Sequence, residues 1–256
     1  MTLKSKPYIG ITGVTSLHEA HVLLAQAREL GLPEDRDLML GYLMSYKGLN
    51  LGQVGNPRQY PSPASLTDLM PFEPECMNTL HFNSRAAGLA NQLLVLIELA
   101  SQIDCIQLNM AWPDVGQLKR FRSLAYVRVI LQVSSRACAM LGWSIEAILQ
   151  RLWSYSGFVD YVLLDLSGGV GKPMDLGFIT ECLSAIYSSG LGMSIGVAGG
   201  LGPDTMASLE PLLERWPKLS WDAQARLRDQ HDGLDLDACR KYLETSIRLA
   251  LLQTKS

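Results

Sequence analysis

Residues 8–20 read YIGITGVTSLHEA, and the choice between two architectures turns on them. YIGIT (8–12) is a short apolar run rich in β-branched residues, which predicts a buried strand. Ser16 follows with Glu19 three places on, a capping-box pattern that predicts a helix from Ser16 to Leu30. The turn between them, GVTS, lacks the G-x-G-x-x-G that a dinucleotide-binding open sheet places after its first strand. A strand–helix unit without that fingerprint turns the reading away from a doubly wound sheet.

The same unit recurs along the chain. Strands are predicted at 38–44, 77–83, 104–109, 126–133, 160–165, 192–198 and 218–222. Helices are predicted from near Ser62, over 84–101, after Pro113, over 135–155, from near Asp175, after Pro203 and over 235–252. Eight strands separated by helices imply right-handed crossovers and a parallel sheet. Eight such units in 256 residues match an α/β fold of the (β/α)₈ TIM-barrel type, with residues 1–256 forming one domain.

Composition narrows the function classes. The chain is 48% hydrophobic and 18% charged with a net charge of −3, so a large core is expected and no basic stripe for nucleic acid is visible. Five scattered cysteines without a C-x-x-C pair predict reduced thiols rather than a disulfide framework or structural zinc. The start, MTLKSKPYIGITG, has no apolar core of a secretory signal, and LLVLIELA (93–100) is too short to span a bilayer. A cytoplasmic protein with a small-molecule ligand, no nucleic acid, no membrane and no cofactor is expected. Oligomeric state has no signature here.

In a barrel, the active site gathers at the C-terminal ends of the strands. That places Asp165, His81, Asn83, Asn109, Gln132 and Asp222 on one face. Asp165 ends an apolar run, where partial desolvation suits a general acid, and a structural cap for its own loop is the plainer alternative. His81 is the candidate proton shuttle, with a structural histidine as its alternative. Asn83, Asn109 and Gln132 offer neutral hydrogen bonds. Two glycine-rich loops follow strands six and seven. SGGVGKP (167–173) is no Walker loop, because Leu166 and Pro173 break the pattern, but Gly168 and Gly169 allow close approach and Lys172 can meet an anion. AGGLGPDT (198–205) leads toward a helix, and its Gly199 and Gly200 suit phosphate. Arg58 can bring a guanidinium to a carboxylate or phosphate. Arg226 or Arg228 can add charge after the eighth strand, with solvated helix-face residues as the equal alternative. No histidine pair has metal-ligand spacing, so no metal is expected.

These motifs, in order, resemble the phosphoribosylanthranilate isomerase family. IGIT (9–12) is similar to that family's C-G-I-T strand, NPRQYPS (56–62) to its S-x-R-Y loop and CIQLN (105–109) to its V-Q-L-H strand. LLDLSGGVGKPMD (163–175) is similar to L-L-D…G-G-x-G-K-x-F-D, and AGGLGPDTM (198–206) to A-G-G-L-x-P-x-N-V. The resemblance implies a (β/α)₈ barrel and an Amadori rearrangement of an aminoaldose phosphate, with the general acid at Asp165 and the carboxylate-binding arginine at Arg58. It also marks departures. Ile9 stands where the family has its cysteine base, Asn109 replaces the histidine, and DAQARLR (222–228) replaces the eighth-strand loop except for Asp222. The expectation is therefore a barrel protein acting on a small phosphorylated sugar-like ligand by isomerase- or lyase-type acid/base chemistry, with His81 as replacement base. A catalytically silent binding or regulatory barrel is the alternative.

Overall fold

The computed structural model describes residues 5–52, 55–85, 87–167 and 174–253. Eight parallel strands close into one barrel in the order β1 to β8. They are β1 (Tyr8–Thr12), β2 (Asp37–Ser45), β3 (Cys76–Asn83), β4 (Cys105–Leu108), β5 (Arg128–Ser134), β6 (Tyr161–Asp165), β7 (Ser194–Ala198) and β8 (Ser220–Ala223). Around them run α1 (Leu17–Glu29), α2 (Tyr46–Leu51), α3 (Leu66–Leu69), α4 (Leu89–Leu99), α5 (Val115–Arg122), α6 (Ser135–Ala139), α7 (Ile145–Trp153), α8 (Leu176–Ser189), α9 (Glu210–Arg215) and α10 (Leu236–Gln253). The predicted (β/α)₈ barrel is the observed fold.

Local chemistry explains where the helices start. The Ser16 side chain accepts from Glu19 N while the Glu19 carboxylate accepts from Ser16 N, the capping box expected from sequence. Ser45, Asp114, Ser134, Ser144 and Asp175 likewise accept the N–H three residues on, at the starts of α2, α5, α6, α7 and α8. Most βα turns thus end on a short polar side chain that satisfies a donor the helix leaves open.

The strands bury both faces, as parallel strands between helices must. Their outward residues, Ile9, Ile11, Leu38, Leu40 and Leu80 among them, pack in one large apolar layer with the helices. Tyr8, Met39, Met77, Cys105, Ile130, Tyr161 and Leu163 fill the barrel interior. Tyr8 and Tyr161 meet edge to face at 5.5 Å near the N-terminal end, where the Tyr161 hydroxyl donates to Lys6 O. Above this plug the inward residues turn polar: Thr12, His81, Gln107 and Asp222, all buried. The five cysteines are free and buried. No helix among the described residues is long and apolar enough to cross a membrane.

Three sequence expectations need correction. The helix expected over 135–155 is two helices, because Gly142 and Trp143 both adopt left-handed backbone, at φ 62° and 58°, and break it. The helix expected near Ser62 shrinks to a 3₁₀ turn and the four-residue α3, while the preceding loop holds α2, closed by Gly52 at φ 62°. The helix expected after Pro203 begins at Glu210, behind a 3₁₀ turn of Met206–Leu209, and the proline in its first turn is Pro211.

Candidate active site

The C-terminal ends of the strands open into a cavity of about 930 Å³. Its lining brings together Asp165, His81, Asn83, Asn109, Gln132, Gly199, Gly200 and Asp222 from six strand ends and their loops. Arg58 is exposed and is not among the lining residues, which instead include its neighbours Gln59 and Tyr60. Gly168, Gly169 and Lys172 lie outside the described residues.

Two carboxyls sit in the cavity floor. Asp165 closes β6, and its position is fixed from both sides. Gln132 Nε2 donates to Oδ2 at 2.7 Å, while Ser167 donates to Oδ1 from its N–H at 3.0 Å and its hydroxyl at 2.7 Å. Gln132 thus holds Asp165 in place while itself lining the cavity. Gly199, at φ 112°, passes so close that a Cβ there would lie 3.3 Å from Asp165 Oδ1. The glycine of the β7 loop thus lets its backbone run against the carboxyl.

Asp222, on β8, is the second. Its oxygens accept the Thr12 hydroxyl at 2.9 and 3.1 Å, and burial lifts its pKa from 3.8 to about 7. The Thr12 hydrogen bond opposes that rise and the charge of nearby Asp165 adds to it. The Thr12 hydroxyl also lies 3.3 Å from His81 Nε2, so His81, Thr12 and Asp222 form one chain across the floor. With the Thr12 proton committed to Asp222, the histidine nitrogen is the donor in the remaining contact. Burial pushes His81 down to about 3, so its ring is neutral across the physiological range. Gly41 leaves room for this chain, since a Cβ there would stand 2.5 Å from Thr12 Oγ1 and 2.7 Å from His81 Nε2.

Gln107, Asn83 and Asn109 form an amide wall across the cavity. Gln107 Nε2 donates to Asn109 Oδ1 at 2.8 Å, while the buried Gln107 Oε1 has no partner among the described residues. Arg85 after β3, Arg136 at the start of α6 and Arg226 in the 3₁₀ turn after β8 also line the cavity. Arg228 does not: it donates to Thr12 O at 2.9 Å and Gly13 O at 3.1 Å, tying the end of β1 to the loop after β8. Ile9 lies in the apolar layer against the helices, and the β1 side chain that reaches the floor is Thr12.

Sequence reasoning passed over Thr12, Gln107, Arg85 and Arg136 as individual site residues. Gln107 was within reach, because it lies two places before Asn109 and strand side chains alternate with period two. The two arginines carried no pattern beyond their nearness to a strand end.

No family model matches the sequence, and no curated protein does. Solved structures do match in shape. Phosphoribosyl anthranilate isomerase from Thermus thermophilus aligns over 94% of this chain and 99% of its own, with a TM-score of 0.65 and 17% identity. The fold is that of the phosphoribosylanthranilate isomerases. A second such isomerase, in complex with reduced 1-(o-carboxyphenylamino)-1-deoxyribulose 5-phosphate, aligns over 94% of this chain and 98% of its own at TM-score 0.63 and 16% identity. 3-Hexulose-6-phosphate synthase from Salmonella typhimurium aligns over 96% and 99% at TM-score 0.54 and 13% identity. Identities this low go with a divergent sequence on a shared barrel, and they speak to the fold alone.

Proposed function

We propose that this barrel is an enzyme acting on a small phosphorylated sugar-like ligand, moving a proton between neighbouring carbon and oxygen atoms by carboxyl acid/base chemistry. The observation that carries the proposal is the pair Asp165 and Asp222, two buried carboxyls facing one open cavity, with Asp222 lifted to about 7. A group titrating near the working pH is half protonated there, which is where general acid/base catalysis is most effective. The Asp165 charge adds to the rise at Asp222, and both carboxyls face the same cavity, so Asp222 can give a proton to a ligand while Asp165 takes one.

Roles follow from the partners. The hydrogen bonds from Gln132 and Ser167 all aim donors at the Asp165 oxygens, an arrangement that orients a proton acceptor. Asp222 in its protonated form is the matching donor to a ring or carbonyl oxygen. His81, neutral at the floor, positions Thr12 and through it Asp222. The base thus moves from His81 to Asp165, because a ring held to about 3 is a weak proton acceptor. Gly199 and Gly200, on the β7 loop where this fold commonly binds phosphate, suit the ligand's phosphate. Two structural neighbours support the ligand class: one holds a deoxyribulose 5-phosphate derivative, and another is named for a hexulose 6-phosphate. Ile9, in the family's cysteine position, offers no base for the family's own reaction.

The test is turnover of aldose and ketose phosphates by the wild type, Asp165→Asn and Asp222→Asn. The expected outcome is conversion of at least one by the wild type, with kcat reduced about 10²–10⁴-fold in each variant. Equal rates in the wild type and both variants would overturn the assignment, and phosphosugar binding with no conversion would favour a silent binding barrel.

A further inference from the structure

Arg85 and Arg136 are not used by the chemistry above, yet both line the cavity. Arg85 lies two residues past the end of β3 and Arg136 two past the end of β5. Neither has an ion pair among the described residues. The intervening β4–α5 loop carries one acid, Asp114, which also lines the cavity and whose Oδ1 is engaged in capping α5 by accepting from Gln117 N at 2.8 Å. On the same wall α4 starts behind Gly88, which is in left-handed backbone at φ 76°; Gln117 Oε1 accepts the Ala90 N–H at 3.1 Å, and Gly88 and Leu89 line the cavity. An eleven-residue helix therefore adds the positive end of its dipole beside two guanidiniums. In a closed eight-stranded barrel β3 stands opposite β7, so this wall faces the Gly199–Gly200 loop across the mouth. On β4, between the strands that lead to the two arginines, Gln107 Oε1 is a buried acceptor lacking a donor among the described residues, of the kind a ligand hydroxyl satisfies.

We infer that Arg85 and Arg136 form a second anion subsite, so that the ligand carries two anionic groups, phosphate or carboxylate, at opposite ends of a hydroxylated core. This rests on the proposed function in taking the cavity as a sugar-phosphate site. It replaces Arg58, which the structure leaves outside the cavity, with two arginines from the far wall. Paired guanidiniums suit a planar carboxylate or a phosphate through bidentate hydrogen bonds.

Calorimetric titration at fixed 0.1 M salt tests it with matched pairs: fructose 6-phosphate against fructose 1,6-bisphosphate, and glucose 6-phosphate against 6-phosphogluconate. The second anion is expected to tighten binding about tenfold or more in at least one pair, and the better pair tells whether the subsite takes phosphate or carboxylate. The exposed positions allow the double variant Arg85→Met/Arg136→Met, which is expected to bring the doubly anionic ligand down to the affinity of its singly anionic partner. Binding of the monophosphates with no gain from the second anion overturns this inference alone. A gain that survives the double variant also overturns it. No binding by any of the four overturns both this inference and the reading of the cavity as a sugar-phosphate site.

Discussion

Asparagine at position 222 would keep the shape of the side chain and an acceptor for the Thr12 hydroxyl while removing the titrating proton. In the folded barrel burial raises the Asp222 carboxyl from 3.8 to about 7, with the Asp165 charge adding to the rise. In the unfolded chain it titrates at its ordinary value. Between those two values the folded state holds a proton that the unfolded state releases, so this side chain's contribution to stability is complete below about pH 4 and is lost as pH rises through 7. At about 1.4 kcal/mol per pH unit, charging Asp222 in place costs roughly 4 kcal/mol above pH 7. Water entry and relaxation bring the measurable part to about 2–4 kcal/mol. Asp222→Asn is therefore expected to be more stable than the wild type at pH 8, by about 5–15 °C in Tm for a domain of this size. The gap should widen steadily from pH 4 to pH 7 and stay constant above it. Thermal melts of both proteins across pH 4–9 measure this directly, because acid effects from other groups are common to both. Parallel curves, with a gap that does not change with pH, would refute the burial argument for Asp222.

Other outcomes follow from particular contacts. Imidazole NMR is expected to show one of the four histidines, His81, remaining neutral down to pH 5, since burial holds it to about 3; four titrations near 6.5 would contradict that. Gly41→Ala places a methyl 2.5 Å from Thr12 Oγ1 and 2.7 Å from His81 Nε2, and urea melts should show a loss of about 1–3 kcal/mol. Ser16→Ala removes the α1 cap and should cost about 1 kcal/mol in the same assay, with activity retained. Gln132→Leu strips one donor from Asp165 and should lower kcat more than it raises KM, which steady-state kinetics resolves.

The barrel was legible because its signals are local and repeated. Strand-length apolar runs recur eight times, and several of the helices behind them open on a serine or aspartate such as Ser16 or Asp175, so unit count and the catalytic face both follow from the chain. The carboxyl and amide residues of the floor were legible for the same reason, as the polar endings of apolar strands. Long-range contacts were not. Arg58 sits exposed and outside the cavity lining, on a loop tied to the far end of the chain through Asn56 to Asp232 and the Arg58 carbonyl to Arg228. The tuning of Asp222 depends on burial among strands remote in sequence, with Thr12 more than two hundred residues away. Backbone events were equally hidden: Gly142 hints at a break within 135–155, but Trp143 at φ 58° does not announce itself.

In the proposed reaction Asp165 takes a proton from carbon of a phosphorylated sugar while Asp222 gives one to oxygen. The most direct test is proton NMR of aldose and ketose phosphates incubated with the protein in D₂O. The expected result is incorporation of deuterium at the carbon next to the carbonyl in at least one of them, abolished in Asp165→Asn. Deuterium incorporation that continues unchanged in that variant, or none with any ligand the calorimeter shows to bind, would contradict it.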